Sequence, residues 1–307
     1  MTRSVGSLAS FAKSGLDRWT LRRANVSGAD RWVAAPSFSE DPALNAEYQE
    51  RLRRDRKVVV PWLAGLRPIE GARILEVGCG EGASSLALAE QGAVLTVVDI
   101  SHDFVTGTIE RCATAGYEVT GVRANADQLE GSVKSEDVGW VVYWAVLEHM
   151  TVGERVQSLR QAWAMLPPGG LLSVIETPNR LWFFDSHTSD LPFFMWLPDE
   201  LAFEFSASST RPGFGGRYQE RTDAEMLHFQ RRGRGVSFHE FEVAIGPAAD
   251  LDVVGCLQLD RRRRSIARHL GWRATRAGRF AAMLKAVAPS VPEAFLQPFL
   301  YVTIRKP

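Results

Sequence analysis

The sequence predicts an α/β protein built on a doubly wound, Rossmann-like sheet. From residue 72 to residue 176, short apolar runs of strand length alternate with helical segments. Such alternation is typical of parallel strands joined by right-handed crossovers. A glycine-rich loop follows the first predicted strand, and an aspartate ends the second. Both features place a ligand site at the carboxyl edge of the sheet.

The elements of this core, residues 68–180, follow in a regular order. The predicted strands are 72–78, 93–99, 117–124, 138–145 and 171–176, and the helices between them are 81–92, 102–115 and 153–166. Gly92 ends the first helix, and a Pro-Pro-Gly-Gly run ends the last one. Continuous apolar runs, rather than alternating ones, indicate strands that are buried on both faces.

The segments before and after the core have different patterns. Residues 1–67 combine an irregular stretch with a helix from Pro42 to Leu66, which we expect to break near Pro61. Residues 181–236 are rich in aromatic side chains and too long for a simple connection. A segment of this length and composition predicts a lid over the ligand site.

Residues 237–307 return to a regular pattern and complete the core. A capping box from Ser237 to Glu240 predicts a helix start. Apolar runs at 251–259 and 299–306 predict two more strands, which brings the total to seven. Between them lies a helical insertion, 261–298, whose first half is strongly basic.

Composition excludes several classes of protein. The 307 residues carry 36 Lys and Arg against 36 Asp and Glu, so no overall charge attracts nucleic acid or an anionic membrane. The 3 cysteines are too few and too scattered for a disulfide framework or a tetrahedral zinc site. The sequence shows no signal-peptide pattern and no apolar run that would span a bilayer. We therefore expect a cytoplasmic protein of one large or two small domains, without stable membrane insertion.

The glycine-rich loop, Glu76 to Ala83, suits a nucleoside cofactor. Its glycines let the backbone approach a ligand, and the helix that follows offers free N–H groups to an anion. Asp99 ends the second strand, where a carboxylate accepts hydrogen bonds from both ribose hydroxyls. The loop also fits the loose dinucleotide pattern, but its charged residues are Glu76 and Glu81, which would repel a pyrophosphate. S-adenosylmethionine (SAM), with two cationic groups and one carboxylate, fits better.

In these motifs the sequence resembles the class I SAM-dependent methyltransferases, in particular the group of the ubiquinone-biosynthesis O-methyltransferases. The resemblance covers about residues 70–180 and rests on LEVGCGEG, VVDIS, VLEHM and MLPPGGLLSVIETPN. It implies a seven-stranded sheet whose last strand, 299–306, is antiparallel. It also implies a set of cofactor-binding residues: Glu76, Gly78, Cys79, Gly80, Asp99, Ile100, Asn125, Ala126 and Trp144. Relatives usually carry Asp where Asn125 stands; Asn125 keeps an acceptor oxygen, and Asp127 is a rival.

The end of the fourth strand is expected to face the methyl acceptor. A hydroxyl acceptor benefits from a general base, and His149 is the first candidate, with His187 of the lid second and Glu148 beside them. Relatives that read E-V-L-E-H here bind a divalent metal through three residues. Ala145 replaces the first of these, so we expect no metal requirement. Magnesium is the alternative, and it would need a lid ligand such as Asp185 or His187.

The lid aromatics, beside polar residues, predict a sugar or polyhydroxylated metabolite as acceptor, with a phenolic natural product as the alternative. A lid core made of the same aromatics is the competing interpretation. The sequence leaves the role of the basic segment 261–285 open among a solvated helix, an anionic substrate, an acidic carrier protein and a membrane surface.

Two other function classes compete with small-molecule O-methylation. Nucleic-acid methylation is disfavoured, because the fourth strand does not end in D/N-P-P-F/Y. A protein that binds the cofactor without methyl transfer is the other class, since a fold and a loop establish binding and not turnover. We expect a small-molecule acceptor and no nucleic-acid partner, and a homodimer is left open.

Overall fold

The structure, a computed structural model, describes residues 42–307. The stretch expected to be irregular, residues 1–41, lies outside the described residues. Within the described part, the strands are β1 Arg73–Val77, β2 Val94–Asp99, β3 Thr120–Arg123, β4 Trp140–Trp144, β5 Leu171–Pro178, β6 Phe184–Asp185, β7 Leu191–Pro192, β8 Asp252–Cys256 and β9 Phe299–Arg305.

The α-helices of the described part alternate with strands up to β5, and further helices follow β7 and β8 in two groups of three. They are α1 Pro42–Arg54, α2 Val60–Leu66, α3 Ala83–Ala89, α4 His102–Thr114, α5 Val152–Met165, α6 Asp199–Phe205, α7 Asp223–Arg231, α8 Phe238–Ala244, α9 Leu257–Arg263, α10 Ile266–Ala274 and α11 Arg276–Val287. Within these residues, none of the helices combines the length and apolar character that crossing a bilayer requires.

Seven strands form one mixed sheet in the order β3-β2-β1-β4-β5-β9-β8. β1 to β5 pair in parallel, and β9 runs antiparallel to both β5 and β8. This sheet confirms the predicted α/β, doubly wound fold with an antiparallel last strand. Every residue of β4 and β5 is buried, because helices cover both faces, and this agrees with their continuous apolar sequences.

Two predicted element boundaries were wrong. The chain stays helical through Pro61, which lies in the first turn of α2. Proline is tolerated there, because residues of the first turn do not need their N–H for a hydrogen bond within the helix. The irregularity precedes it as a π-helical turn, Asp55–Val59. The strand predicted for 251–259 ends at Cys256, because the Asp260 carboxylate accepts the Cys256 N–H at 3.2 Å and so begins α9.

A buried guanidinium connects the lid to the core. Arg155 of α5 is 1% exposed, and it donates to the carbonyl oxygens of Met150 at 2.9 Å, Arg234 at 2.8 Å and Gly235 at 3.0 Å. Glu240 of α8 lies 3.3 Å away and supplies the opposite charge. Burial lowers the pKa of Arg155, and Glu240 opposes that shift. One side chain thus joins α5, the end of the lid and α8.

We expect Arg155→Met to reduce the free energy of unfolding by about 3–5 kcal/mol, because it leaves several buried carbonyls and a buried carboxylate without their donor. Urea denaturation followed by circular dichroism measures this. Arg160→Met, at an exposed position on the same helix, is the matched control and should change stability by about 0.5 kcal/mol or less. Equal losses in the two variants would contradict this role for Arg155.

Candidate active site

The glycine-rich loop lies against the end of β4. Gly78 has a φ of +77°, and a Cβ built there would lie 2.4 Å from Val146 Cγ2. A side chain at Gly78 would therefore collide with Val146, which lies two positions after the end of β4. A Cβ on Gly80 would meet nothing within 4 Å, so the loop is open to a ligand at that point. The sequence thus brings the loop and the end of β4 together.

Asp99 fixes the loop to the end of β2. Its carboxylate accepts the Gly80 N–H at 3.1 Å and the Ser101 N–H at 2.9 Å. Burial raises its pKa, and these backbone donors oppose the shift. The neighbouring Ile100 is 59% exposed, and Asn125 is exposed just after β3. These predicted cofactor residues therefore lie along the carboxyl edge of the sheet, at the ends of adjacent strands.

The side chains of two predicted cofactor residues, Glu76 and Cys79, are buried. Glu76 is fully buried, and its carboxylate accepts hydrogen bonds from the hydroxyls of Ser84 and Ser85 at the start of α3. It supports the loop from beneath rather than facing a ligand. The Cys79 thiol is buried as well, and burial raises its pKa well above the usual value. Cys79 can contribute to a ligand site only through its backbone.

The end of β4 combines a positive φ angle at Ala145 with a buried hydrogen-bond donor, the indole N–H of Trp144. Ala145 has a φ of +54°, which turns the chain sharply after the strand. The indole Nε1 of Trp144 is buried, and it has no hydrogen-bond acceptor within residues 42–307. Ala126, another predicted cofactor residue, is half-buried and packs against the apolar core below the sheet edge.

Three side chains converge beyond β4 to form what we call the Glu–His cluster: Glu148, His149 and His187. The first two lie on the short 3₁₀ turn Leu147–His149, and His187 comes from the lid. Glu148 Oε1 lies 3.9 Å from His149 Nε2 and 3.7 Å from His187 Nε2. Burial raises the pKa of Glu148 to about 7. The structure therefore brings together all three predicted catalytic residues.

The lid positions His187 through a polar turn. Asp185 accepts the backbone N–H groups of His187, Thr188 and Ser189 at 2.8–3.0 Å. Asp185 therefore builds the turn and does not belong to the Glu–His cluster, although the sequence offered it as an alternative ligand. Gly233 allows the close packing of the imidazole, since a Cβ there would lie 2.7 Å from His187 Cε1.

Most lid aromatics form a core instead of a ligand surface. Phe194, Phe203, Phe214, Tyr218 and Phe229 are buried together in one apolar cluster. Trp182 is also buried, and its ring packs edge-on against Phe280 of α11 at 5.3 Å between centroids. Phe193 and Trp196 remain about half exposed at the rim, with ring centroids 4.9 Å apart. The competing interpretation, a lid core, therefore describes most of these side chains.

Sequence reasoning missed one buried ion pair near the site. Arg54, at the end of α1, donates to both carboxylate oxygens of Glu176 in β5, and also to Asp55. Glu176 has a φ of +59°, at a bulge where the pairing of β5 with β9 shifts register. The two partners are 122 positions apart and belong to no short motif, so no pattern in the sequence indicated their contact.

Comparisons with known proteins agree with this geometry. Residues 74–170 match the family described as "Methyltransferase domain". A ubiquinone biosynthesis O-methyltransferase from Caulobacter is 35% identical over 118 residues, which are 38% of this chain and 44% of that protein. The corresponding protein from Azorhizobium caulinodans is 30% identical over 173 residues, 55% of this chain and 65% of that protein. The chain thus spans about half the length of these relatives.

A cypemycin N-terminal methyltransferase from Streptomyces is 49% identical over 71 residues, 23% of this chain and 29% of that protein. Among solved structures, a magnesium protoporphyrin IX methyltransferase from Synechocystis is similar over 66% of this chain and 81% of that one, with 19% identity and a TM-score of 0.40. Within residues 74–170 the chain is thus similar to a methyltransferase domain.

The buried Glu76 should make the stability of this core depend on pH. Burial raises its pKa from 4.5 to about 7, so the stability contributed by its neutral form is complete below pH 4.5 and is lost as pH rises through 7. Relative to Glu76→Gln, the wild type should lose about 3 kcal/mol of unfolding free energy between pH 4.5 and pH 8. Urea denaturation at several pH values measures it, with exposed Glu70→Gln as control. A pH-independent difference from Glu76→Gln would contradict the raised pKa.

Proposed function

We propose that this protein transfers a methyl group from SAM to a hydroxyl group of a small molecule. The observation that carries the proposal is the contact between the glycine-rich loop and the end of β4. Gly78 lies against Val146, two positions before the Glu–His cluster. A cofactor held by the loop and an acceptor held by the cluster would therefore be bound at the same edge of the sheet.

The residues at this edge fit SAM. Asp99 offers a carboxylate to the ribose hydroxyls, the exposed Ile100 offers an apolar surface to the adenine, and Asn125 offers an amide oxygen. The indole N–H of Trp144, which has no acceptor within residues 42–307, is a donor suited to the carboxylate of the methionine part. Glu76 supports this arrangement through Ser84 and Ser85.

When bound, SAM supplies an electrophilic methyl group, whose carbon–sulfur bond breaks with its electrons going to sulfur as the acceptor oxygen bonds to the carbon. The chain has to orient the acceptor, exclude water and help the hydroxyl to lose its proton. The lid contributes His187, and the side chain of Glu148 is fully buried. We propose that Glu148, His149 and His187 act together on the acceptor hydroxyl, with His149 the most accessible of the three.

For the acceptor, we propose a sugar or another polyhydroxylated metabolite. What supports this is the exposed ring pair of Phe193 and Trp196, which follows the exposed Asp190 closely in sequence. An apolar face beside hydrogen-bonding groups suits a sugar ring. Incubation with SAM and separate panels of sugars and phenols, with release of S-adenosylhomocysteine as readout, tests it. Turnover confined to phenols would replace the sugar proposal with the phenolic one.

Asp99→Ala should weaken SAM binding by about 1–3 kcal/mol, because the ribose hydroxyls lose a charged acceptor. Isothermal titration calorimetry on the folded variant measures the change. The matched control is Asp103→Ala, which removes an exposed carboxylate four positions later. If Asp99→Ala binds SAM as tightly as the wild type does, the proposed cofactor site is in the wrong place.

His149→Ala should lower kcat by about 10²-fold while SAM affinity changes by less than about threefold, since the imidazole acts on the acceptor and not on the cofactor. The assay uses the acceptor found in the panels, and His269→Ala, on the exposed surface of α10, is the control. A variant with normal kcat, or one that fails only through lost SAM binding, would remove His149 from the mechanism.

A further inference from the structure

We propose that Glu148, His149 and His187 form a binding site for one divalent transition-metal ion, and that zinc is the ion their donor atoms fit best. The three donor atoms lie within 4.8 Å of one another. The motif itself offers only two donors, because position 145 is alanine. The folded lid adds the third.

The distances between the donors are close to those of a coordinated ion. Donors at about 2.1 Å from zinc in a tetrahedral arrangement are about 3.3 Å apart. The separations from Glu148 Oε1 to the two histidine Nε2 atoms are 3.9 and 3.7 Å. Both exceed a normal hydrogen bond. All three separations lie within 4.8 Å, so shifts of at most about 1.5 Å would close the three donors around an ion.

The outer hydrogen bonds of both imidazoles orient their Nε2 atoms for coordination. His149 Nδ1 lies 3.0 Å from the Arg231 carbonyl oxygen, which only accepts, so this nitrogen carries the proton. His187 Nδ1 lies 2.9 Å from Thr188 Oγ1, whose own proton is donated to the Gly233 carbonyl at 2.7 Å. In the neutral form of each ring, Nε2 then bears the lone pair. Metal-binding histidines are held in this way.

Glu148 supplies an independent observation. Its side chain is 0% exposed, and Oε1 has no hydrogen-bond donor within residues 42–307. The other carboxylate oxygen accepts the Thr177 hydroxyl at 3.2 Å. A buried carboxylate oxygen without a donor is unfavourable, and a cation between the three residues would satisfy it.

The donor set selects the class of metal. Two imidazole nitrogens and one carboxylate suit zinc and related transition metals, whereas magnesium prefers oxygen ligands. Ala145 cannot provide the oxygen that would favour magnesium. Three protein ligands also leave one coordination position open, as in catalytic zinc sites. His149 is the most accessible of the three ligands, with 19% of its side chain exposed.

Use of the ion in methyl transfer rests on the proposed function, whereas its binding does not. A bound zinc ion would lower the pKa of an acceptor hydroxyl placed at the open position, and the hydroxyl proton would pass to solvent. His149, His187 and Glu148 would then act on the acceptor through the ion that they hold.

Titration of the chelator-treated full chain with Co²⁺, followed by visible absorption, tests the site. We expect one equivalent to bind, with the absorption bands of low-coordinate cobalt, and zinc to displace it. His149→Ala and His187→Ala should each weaken binding by about 100-fold or more. Thr188→Val, which removes the hydroxyl that holds His187 Nδ1 and donates to the Gly233 carbonyl, should weaken it by about 10- to 100-fold. His269→Ala should bind as the wild type does, and circular dichroism verifies that each variant is folded.

The absence of saturable Co²⁺ binding, or binding that is unchanged in folded His149→Ala and His187→Ala, would overturn the site. SAM binding and S-adenosylhomocysteine release are measured on the same samples. Cobalt binding as expected without turnover of any acceptor supports the metal site and counts against the proposed function. Turnover that needs His149 in a protein that binds no cobalt overturns the metal site and leaves the proposed function standing.

Discussion

The buried guanidinium of Arg155 is the interaction on which the arrangement of the site depends. It donates to backbone carbonyls on both sides of the candidate active site and carries the counter-charge of Glu240. The backbone oxygen of Glu148 lies in the same network, where it accepts the Arg234 N–H at 3.0 Å. The turn that carries Glu148 is therefore held in a fixed position relative to the end of the lid. Because these carbonyls are buried, they need this donor, and the lid cannot shift without leaving them unpaired.

Positive backbone φ angles recur where the strands reach the carboxyl edge. Gly78 follows β1, Ala145 follows β4, and Glu176 lies within β5. Such angles are unfavourable for residues with a side chain, and here the surroundings hold them. The Ala145 N–H donates to the Ile175 carbonyl at 2.9 Å, and Arg54 holds the Glu176 carboxylate. These sharp turns direct the chain away from the sheet and leave room for ligands at its edge.

The two halves of the candidate active site arise in different ways. The cofactor half comes from consecutive strand ends and the loop beside them, so local sequence and the order of the sheet suffice to build it. The acceptor half needs the lid, because His187 reaches Glu148 only through the turn made by Asp185 and the space left by Gly233. A rigid lid core, with Phe194 and Phe229 fully buried, gives that turn a fixed support.

The sequence by itself determined the sheet, most element boundaries and the cofactor edge, since strand burial, capping and glycine conformation are local properties. It also named His149, His187 and Glu148 one by one. Only the tertiary structure decided that these three meet, that Glu76 faces Ser84 and Ser85, and that the lid aromatics form a core. The physical reason is that side-chain convergence depends on long-range packing. Contacts between residues far apart along the chain, such as Arg54 with Glu176, leave no periodic pattern in the sequence that could reveal them.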